Sequence, residues 1–242
     1  TESRSTTQAN IPRGRRPRIW TIVISLCALA LVACGADVNS QLRFEEDLSG
    51  SRTFVMTMAD ADVEELTGGI DAAQQTLESH TPDVLSFEGI EQLEDGYGAT
   101  FTLSFTDLED YQNKINALLD ASDIPLADRE MSIELDDQPL LSTLSVRENF
   151  YNDNLMEWAA DALISEGVVS NNATVLTSGG TATATFNGEE ISSSTSLPRM
   201  NFQHTQDARF KDVGLEVEFL ESGDIQVIMA YLISEEYAAR QH

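Results

Sequence analysis

Gln41 to Met58 reads QLRFEEDLSGSRTFVMTM, with Leu42 and Phe44 set between polar neighbours, turn residues at Asp47-Leu48-Ser49-Gly50-Ser51, then Phe54, Met56 and Met58 alternating with Thr53 and Thr57. A period of two on both sides of a turn predicts a hairpin with one buried face. Asp62 and Glu65 then take the form of a capping box, and Val63, Leu66, Ile70, Ala73 and Leu77 share one helical face. Gly68-Gly69 lies inside that run. Each Gly costs about 1 kcal/mol relative to Ala in a helix, so the pair implies a close backbone crossing or a loosened turn.

The pattern repeats downstream. Leu85 and Phe87 lead to a turn at Glu94-Asp95-Gly96-Tyr97-Gly98, Phe101, Leu103 and Phe105 alternate, and Thr106 with Glu109 marks a second capping box before Leu108, Tyr111, Ile115 and Leu118. Two hairpin-plus-helix units predict an α+β fold of antiparallel sheets with the helices packed on one face. Asp120 to Asp128 reads as a linker. Beyond it lie strands carrying Met131, Ile133, Leu135 and then Leu144 and Val146, a helix capped by Asn152 or Asp153 and stopped by Gly167, and an Asn187-Gly188 hairpin turn. A last hairpin sets Val213, Leu215, Val217 and Phe219 against Ile225, Val227, Met229 and Tyr231. The expected organisation is 34–120 as one subdomain, 121–129 as linker and 130–238 as a β-rich second subdomain.

Ahead of these elements, Arg13-Gly14-Arg15-Arg16-Pro17-Arg18 runs into an apolar stretch from Ile19 to Val32 and then Leu31-Val32-Ala33-Cys34-Gly35. A basic start, an apolar core shorter than a membrane span and small residues before a Cys predict a secretory signal over 1–33, with Cys34 as the lipidation site. An uncleaved signal anchor is the competing reading of the same run. Removal of 1–33 leaves nine basic and 40 acidic residues, a net charge of −31 against −27 for the whole chain. That charge repels nucleic acid and anionic headgroups alike, so nucleic acid is not an expected partner and a lipid would tether the domain without flattening it on the membrane. With Cys27 inside the signal, Cys34 is the one Cys that remains, which rules out an intrachain disulfide and a multi-cysteine zinc site in 34–242.

The lipobox, Val38-Asn39-Ser40-Gln41-Leu42-Arg43-Phe44, Asp47-Leu48-Ser49-Gly50-Ser51 and Gly98-Ala99-Thr100-Phe101-Thr102 together resemble the LppM-type lipoproteins of actinobacteria. The resemblance covers Cys34 to about Leu119. It implies a diacylated Cys34, a helix-covered sheet and a role in envelope and lipoglycan biology, and it supplies no catalytic residues. The chain departs from that family in its long β-rich second half and in having no second apolar anchor between Leu232 and His242.

Candidate chemistry is sparse. Asp60, Asp62, Glu64 and Asp71 echo a calcium loop, but Glu65 stands where the turn needs Gly, and Asp71 where a bidentate Glu belongs. These acids read better as helix starts. Carboxylates at Glu45-Glu46-Asp47, Glu94-Asp95 and Asp136-Asp137 would hold calcium weakly if folding joined them. His80 is expected at a helix C-terminus, His204 in a polar loop, and His242 ends the chain; none has a metal-ligand or nucleophile spacing. Trp158 and Tyr111 are expected in the core, Tyr97 exposed in a turn, Tyr151 as a further aromatic that could line a groove, and Ser192 to Ser196 as an edge strand or loop. The expected role is a noncatalytic, lipid-anchored protein on the extracytoplasmic side of the cell membrane, without a cofactor, that binds or scaffolds an envelope protein or glycolipid. A lipid or glycolipid binder and an envelope hydrolase are the alternatives.

Overall fold

β1 (Asp37–Phe44) and β2 (Gly50–Met58) form the expected antiparallel hairpin, with Phe44 opposite Gly50, in a computed structural model that describes residues 35–138, 141–207 and 212–232. Val38, Leu42, Phe44, Phe54, Met56 and Met58 all point to one buried side. Each such side chain contributes about 1.5–3 kcal/mol on leaving water, which fixes the register, because a one-residue slip would turn the whole set outward. No loose tether separates Gly35 from the fold. Ala36 N donates to Val175 O at 2.7 Å and β1 starts one residue later, so the fold begins directly beside Cys34 in sequence.

β3 (Ser86–Leu93) and β4 (Gly96–Phe105) make the second hairpin, and β4 pairs with β2. The turn is only Glu94-Asp95, since Leu93 and Gly96 are already paired. Tyr97 therefore lies in β4 opposite Met58 and is half-buried, not exposed in a turn.

The expectation of two subdomains is corrected by β7 (Ala182–Phe186), which runs parallel to β1 with Ser40 opposite Ala182 and Phe44 opposite Phe186. β8 (Glu189–Ser194) follows through Asn187 and Gly188, both at positive φ (49° and 82°), and Ser192 to Ser194 form part of this edge strand. One six-stranded sheet in the order β3-β4-β2-β1-β7-β8 thus draws on both halves of the chain. Residues 33–242 form one compact unit with a shared core. The 121–129 linker is likewise packed. Ser122 and Ile124 are buried, and Arg129 donates to the Ile124 carbonyl and pairs with Asp120.

Helices cover the buried face, as expected for α+β. The first helical run is broken in two: α1 (Asp60–Val63) is one turn and α2 (Gly69–His80) starts afresh, with Gly68 and Gly69 at φ 84° and 68°. Left-handed backbone at two successive residues cannot continue a right-handed helix, so the loosened turn is the reading the structure takes. α3 (Leu108–Ala121) is capped by Asp107, which accepts from Asp110 N at 2.8 Å, while Asp110 accepts from Thr106 N at 3.0 Å. The cap sits one residue later than the predicted Thr106–Glu109 box, because Asp supplies the same acceptor as Thr. α4 (Glu157–Ser165) follows a 3-10 turn over Asp153–Met156 and ends at Gly167.

β5 (Met131–Gln138), β6 (Leu141–Glu148) and β9 (Asn201–Asp207) form a second, three-stranded sheet whose Leu144, Val146 and Phe202 enter the same core. β10 (Asp212–Phe219) and β11 (Ile225–Leu232) pair in the predicted register, Val213 opposite Tyr231 and Phe219 opposite Ile225, as a sheet of their own. No residue of this hairpin belongs to the core.

Candidate functional site

The inward alternation of β2 continues backwards to Arg52, and that of β6 forwards to Glu148, so each strand drives one charge into the interior. Both side chains are fully buried. Arg52 Nη1 donates to Glu148 Oε1 at 2.6 Å and to the Tyr111 hydroxyl at 2.8 Å, and Tyr111 donates in turn to Glu148 Oε1 at 3.1 Å. Arg52 Nη2 donates to Asn152 Oδ1 at 3.0 Å. Ser40 donates to the same oxygen, and Asn152 Nδ2 donates to the carbonyls of Val38 and Thr181. Met200 N reaches Glu148 Oε2 at 3.3 Å, and the guanidinium lies 5.0 Å from the Phe54 ring centre.

This cluster ties β1, β2 and α3 to β6 and the turn before α4. Burial works against the charge of Arg52, but the Glu148 carboxylate and the Tyr111 hydroxyl outweigh it and hold its pKa above the ordinary value. Burial likewise pushes the Tyr111 hydroxyl up, against the opposing pull of Arg52. Arg52, Glu148, Tyr111 and Asn152 are all sealed from solvent. The cluster holds the two halves together. Asn152, expected as a helix cap, makes no capping bond and serves this network instead. The sequence carried the signal: one more step of two along each strand reaches Arg52 and Glu148.

Among the described residues, open surface cavities include the following three. One, of about 380 Å³, is bounded by the β1–β2 turn (Glu46, Asp47), Asp137, Leu144, Phe186 and His204. His204 is therefore not in a polar loop; it lies on β9 and stacks on Phe186 at 5.1 Å. Hydrogen bonds from Ser49 hold the exposed Asp47 carboxyl below its ordinary pKa. A second cavity of about 440 Å³ has Gly35, Asp37, Asp62, Glu94, Asp95 and Tyr97 on its walls. The acidic loops named as calcium candidates are thus divided between opposite ends of β1: Glu46, Asp47 and Asp137 meet at the Phe44 end, Glu94 and Asp95 at the Asp37 end. Among the described residues no three acidic, His or Cys side chains converge on a metal-sized site. Asp60 and Asp62 stand in the first turn of α1, and Asp71 in that of α2.

The third cavity, about 420 Å³, lies between His80, Pro82, Ala121, Trp158 and Asp161. His80 is the last residue of α2, with Nδ1 3.0 Å from the Thr76 carbonyl oxygen and Nε2 3.6 Å from Glu166, as suits a helix C-terminus. Trp158 is buried and meets Phe101 edge-on at 5.4 Å. It packs on the main sheet, in the core as expected. Tyr111 is buried and Tyr151 lies under the Arg199 guanidinium. Cys34, like His242, falls outside the described residues.

The β10–β11 hairpin presents the most distinctive surface. Val213, Leu215, Val217 and Phe219 face the same side as Ile225, Val227, Met229 and Tyr231, and all eight are 45–77% exposed. Together they make one contiguous exposed apolar face on the paired strands. No helix among the described residues is long and apolar enough to cross a membrane. Comparison with protein-family models, curated proteins and solved structures finds no match to this chain.

Proposed function

We propose that this chain is a noncatalytic, lipid-anchored protein of the extracytoplasmic membrane face that docks another protein surface. The observation that carries the docking role is the uncovered eight-residue apolar face of β10–β11, which no part of the described core touches. The anchor rests on the Leu31-Val32-Ala33-Cys34-Gly35 motif and on the start of the fold at Ala36, which would hold the domain within two residues of the lipid. The resemblance of Cys34 to Leu119 to LppM-type lipoproteins supports the same placement. The open, acid-walled cavities offer a lipid or glycolipid little enclosure, so protein docking is the better reading of the surface.

The test of the anchor is the Cys34→Ala variant, expressed in a host that processes lipoproteins. It is expected to leave the membrane fraction while keeping its far-UV circular dichroism. Retention of the variant in the membrane would replace the lipid with the uncleaved apolar segment 19–32.

A further inference from the structure

A two-stranded hairpin is marginal in water on its own, so β10–β11 requires a surface to cover it. Three kinds of cover are conceivable: a membrane, an unrelated protein and a second copy of this chain. Position argues against the membrane. The fold starts beside Cys34 at the Asp37 end of β1, whereas Gln206, one residue before the end of β9, lines the cavity at the Phe44 end with Asp47 and Phe186. The described chain leading to the hairpin thus ends, at Asp207, at the end of the domain away from Gly35, with β1, an eight-residue strand of roughly 25 Å, between the two ends. Chemistry agrees. Residues 212–232 hold Asp212, Glu216, Glu218, Glu221 and Asp224 and no Lys or Arg, the reverse of a headgroup-binding element.

We infer that the occupant is a second copy, the two hairpins packing apolar face to apolar face about a two-fold axis. The inference rests on the docking reading above and names its partner. The area fits. With eight side chains 45–77% exposed, an identical face would cover roughly 800 Å² on each copy, about 1,600 Å² in all, the size of a stable protein–protein interface. The face is also self-complementary in kind: aliphatic and aromatic throughout, uncharged, with its acids on the opposite side of the strands and in the turn, so that no buried charge opposes pairing. Two pleated faces stacked about 10 Å apart would make a small four-stranded sandwich. Because the described chain of each copy begins at the far end, at Gly35, a two-fold axis perpendicular to the membrane would let both lipids insert in the same leaflet. The cost is repulsion between two strongly acidic domains, which salt screens beyond about 8 Å at physiological ionic strength.

The experiment is sedimentation velocity on residues 35–242, which contain the whole described core, at protein concentrations up to about 100 µM in low and in 0.5 M sodium chloride. Expected are a monomer–dimer equilibrium, a dimer tightened by roughly tenfold or more at the higher salt, and a loss of about a hundredfold or more in the Leu215→Glu/Met229→Glu variant, whose two sites face each other across the strands. At concentrations where the parent is monomeric, the variant's thermal melt should match the parent's, since neither residue is in the core. A parent that stays monomeric throughout, or a variant that dimerises as well as the parent, overturns the inference. So does binding of the monomer to neutral phosphatidylcholine vesicles that the double variant loses, which would assign the face to lipid. This fragment lacks Cys34, so a failed dimer leaves the anchor standing, and a failed Cys34→Ala test leaves the dimer standing.

Discussion

Arg52 occupies a position that its strand reserves for an apolar side chain, and the two Nη atoms of its guanidinium find their partners Tyr111, Glu148 and Asn152 on three other segments. Removing one member of such a buried pair leaves an uncompensated charge, which costs about 3–5 kcal/mol, whereas replacing both by apolar residues of similar size is often neutral or stabilising. Arg52→Met and Glu148→Leu are each expected to lower the urea midpoint sharply, and Arg52→Met/Glu148→Leu to recover most of the loss. Additive losses in the double variant would mean that the two residues act separately and that the cluster is not the tie between the halves. The buried Nε of Arg52 has no partner among the described residues, which gives the apolar pair a further advantage.

Among the elements, the break between α1 and α2 shows how a local signal was half legible. The apolar spacing of Val63, Leu66, Ile70, Ala73 and Leu77 was visible, and Leu66, Ala73 and Leu77 are buried as that spacing requires. The spacing continued across Gly68-Gly69, so periodicity alone drew one helix where backbone conformation makes two. A Cβ at Gly68 would stand 2.7 Å from the Ala72 Cβ and in left-handed backbone, so Gly68→Ala should cost about 1–2 kcal/mol in a denaturation experiment. A cost near zero would mean that the α1–α2 turn rearranges freely and that its conformation is not fixed by the glycine. Hairpins were read correctly because turn chemistry and a period of two are both local. The parallel β1–β7 pairing was not, because Ser40 and Ala182 lie 142 residues apart and no short-range pattern links them. The same reason hid Arg52 and Glu148: the alternation places each inward, but only the tertiary fold puts them opposite one another. The apolar face of β10–β11 was fully legible as a pattern, and its exposure was not, since periodicity states that a face wants cover without saying whose.

At the scale of the molecule, the sheet that crosses the middle of the chain makes residues 34–120 and 130–238 interdependent. Isolated, the first segment would lose β7 from the edge of β1 and leave Arg52 without Glu148 and Asn152. Its acids would repel one another as before, and nothing would offset the exposed edge. Trp158 offers a direct readout, because it belongs to the second half, packs on Phe101 of the first, and is the one Trp left once 1–33 is removed. Urea unfolding of residues 35–242 followed by Trp158 fluorescence and by far-UV circular dichroism is therefore expected to give a single coincident transition. The 34–120 segment alone is expected to lack a cooperative transition. The midpoint should rise with sodium chloride as self-repulsion of the acidic surface is screened. Two separated transitions, with the fluorescence change confined to one of them, would restore the picture of two subdomains that the parallel β1–β7 pair replaces.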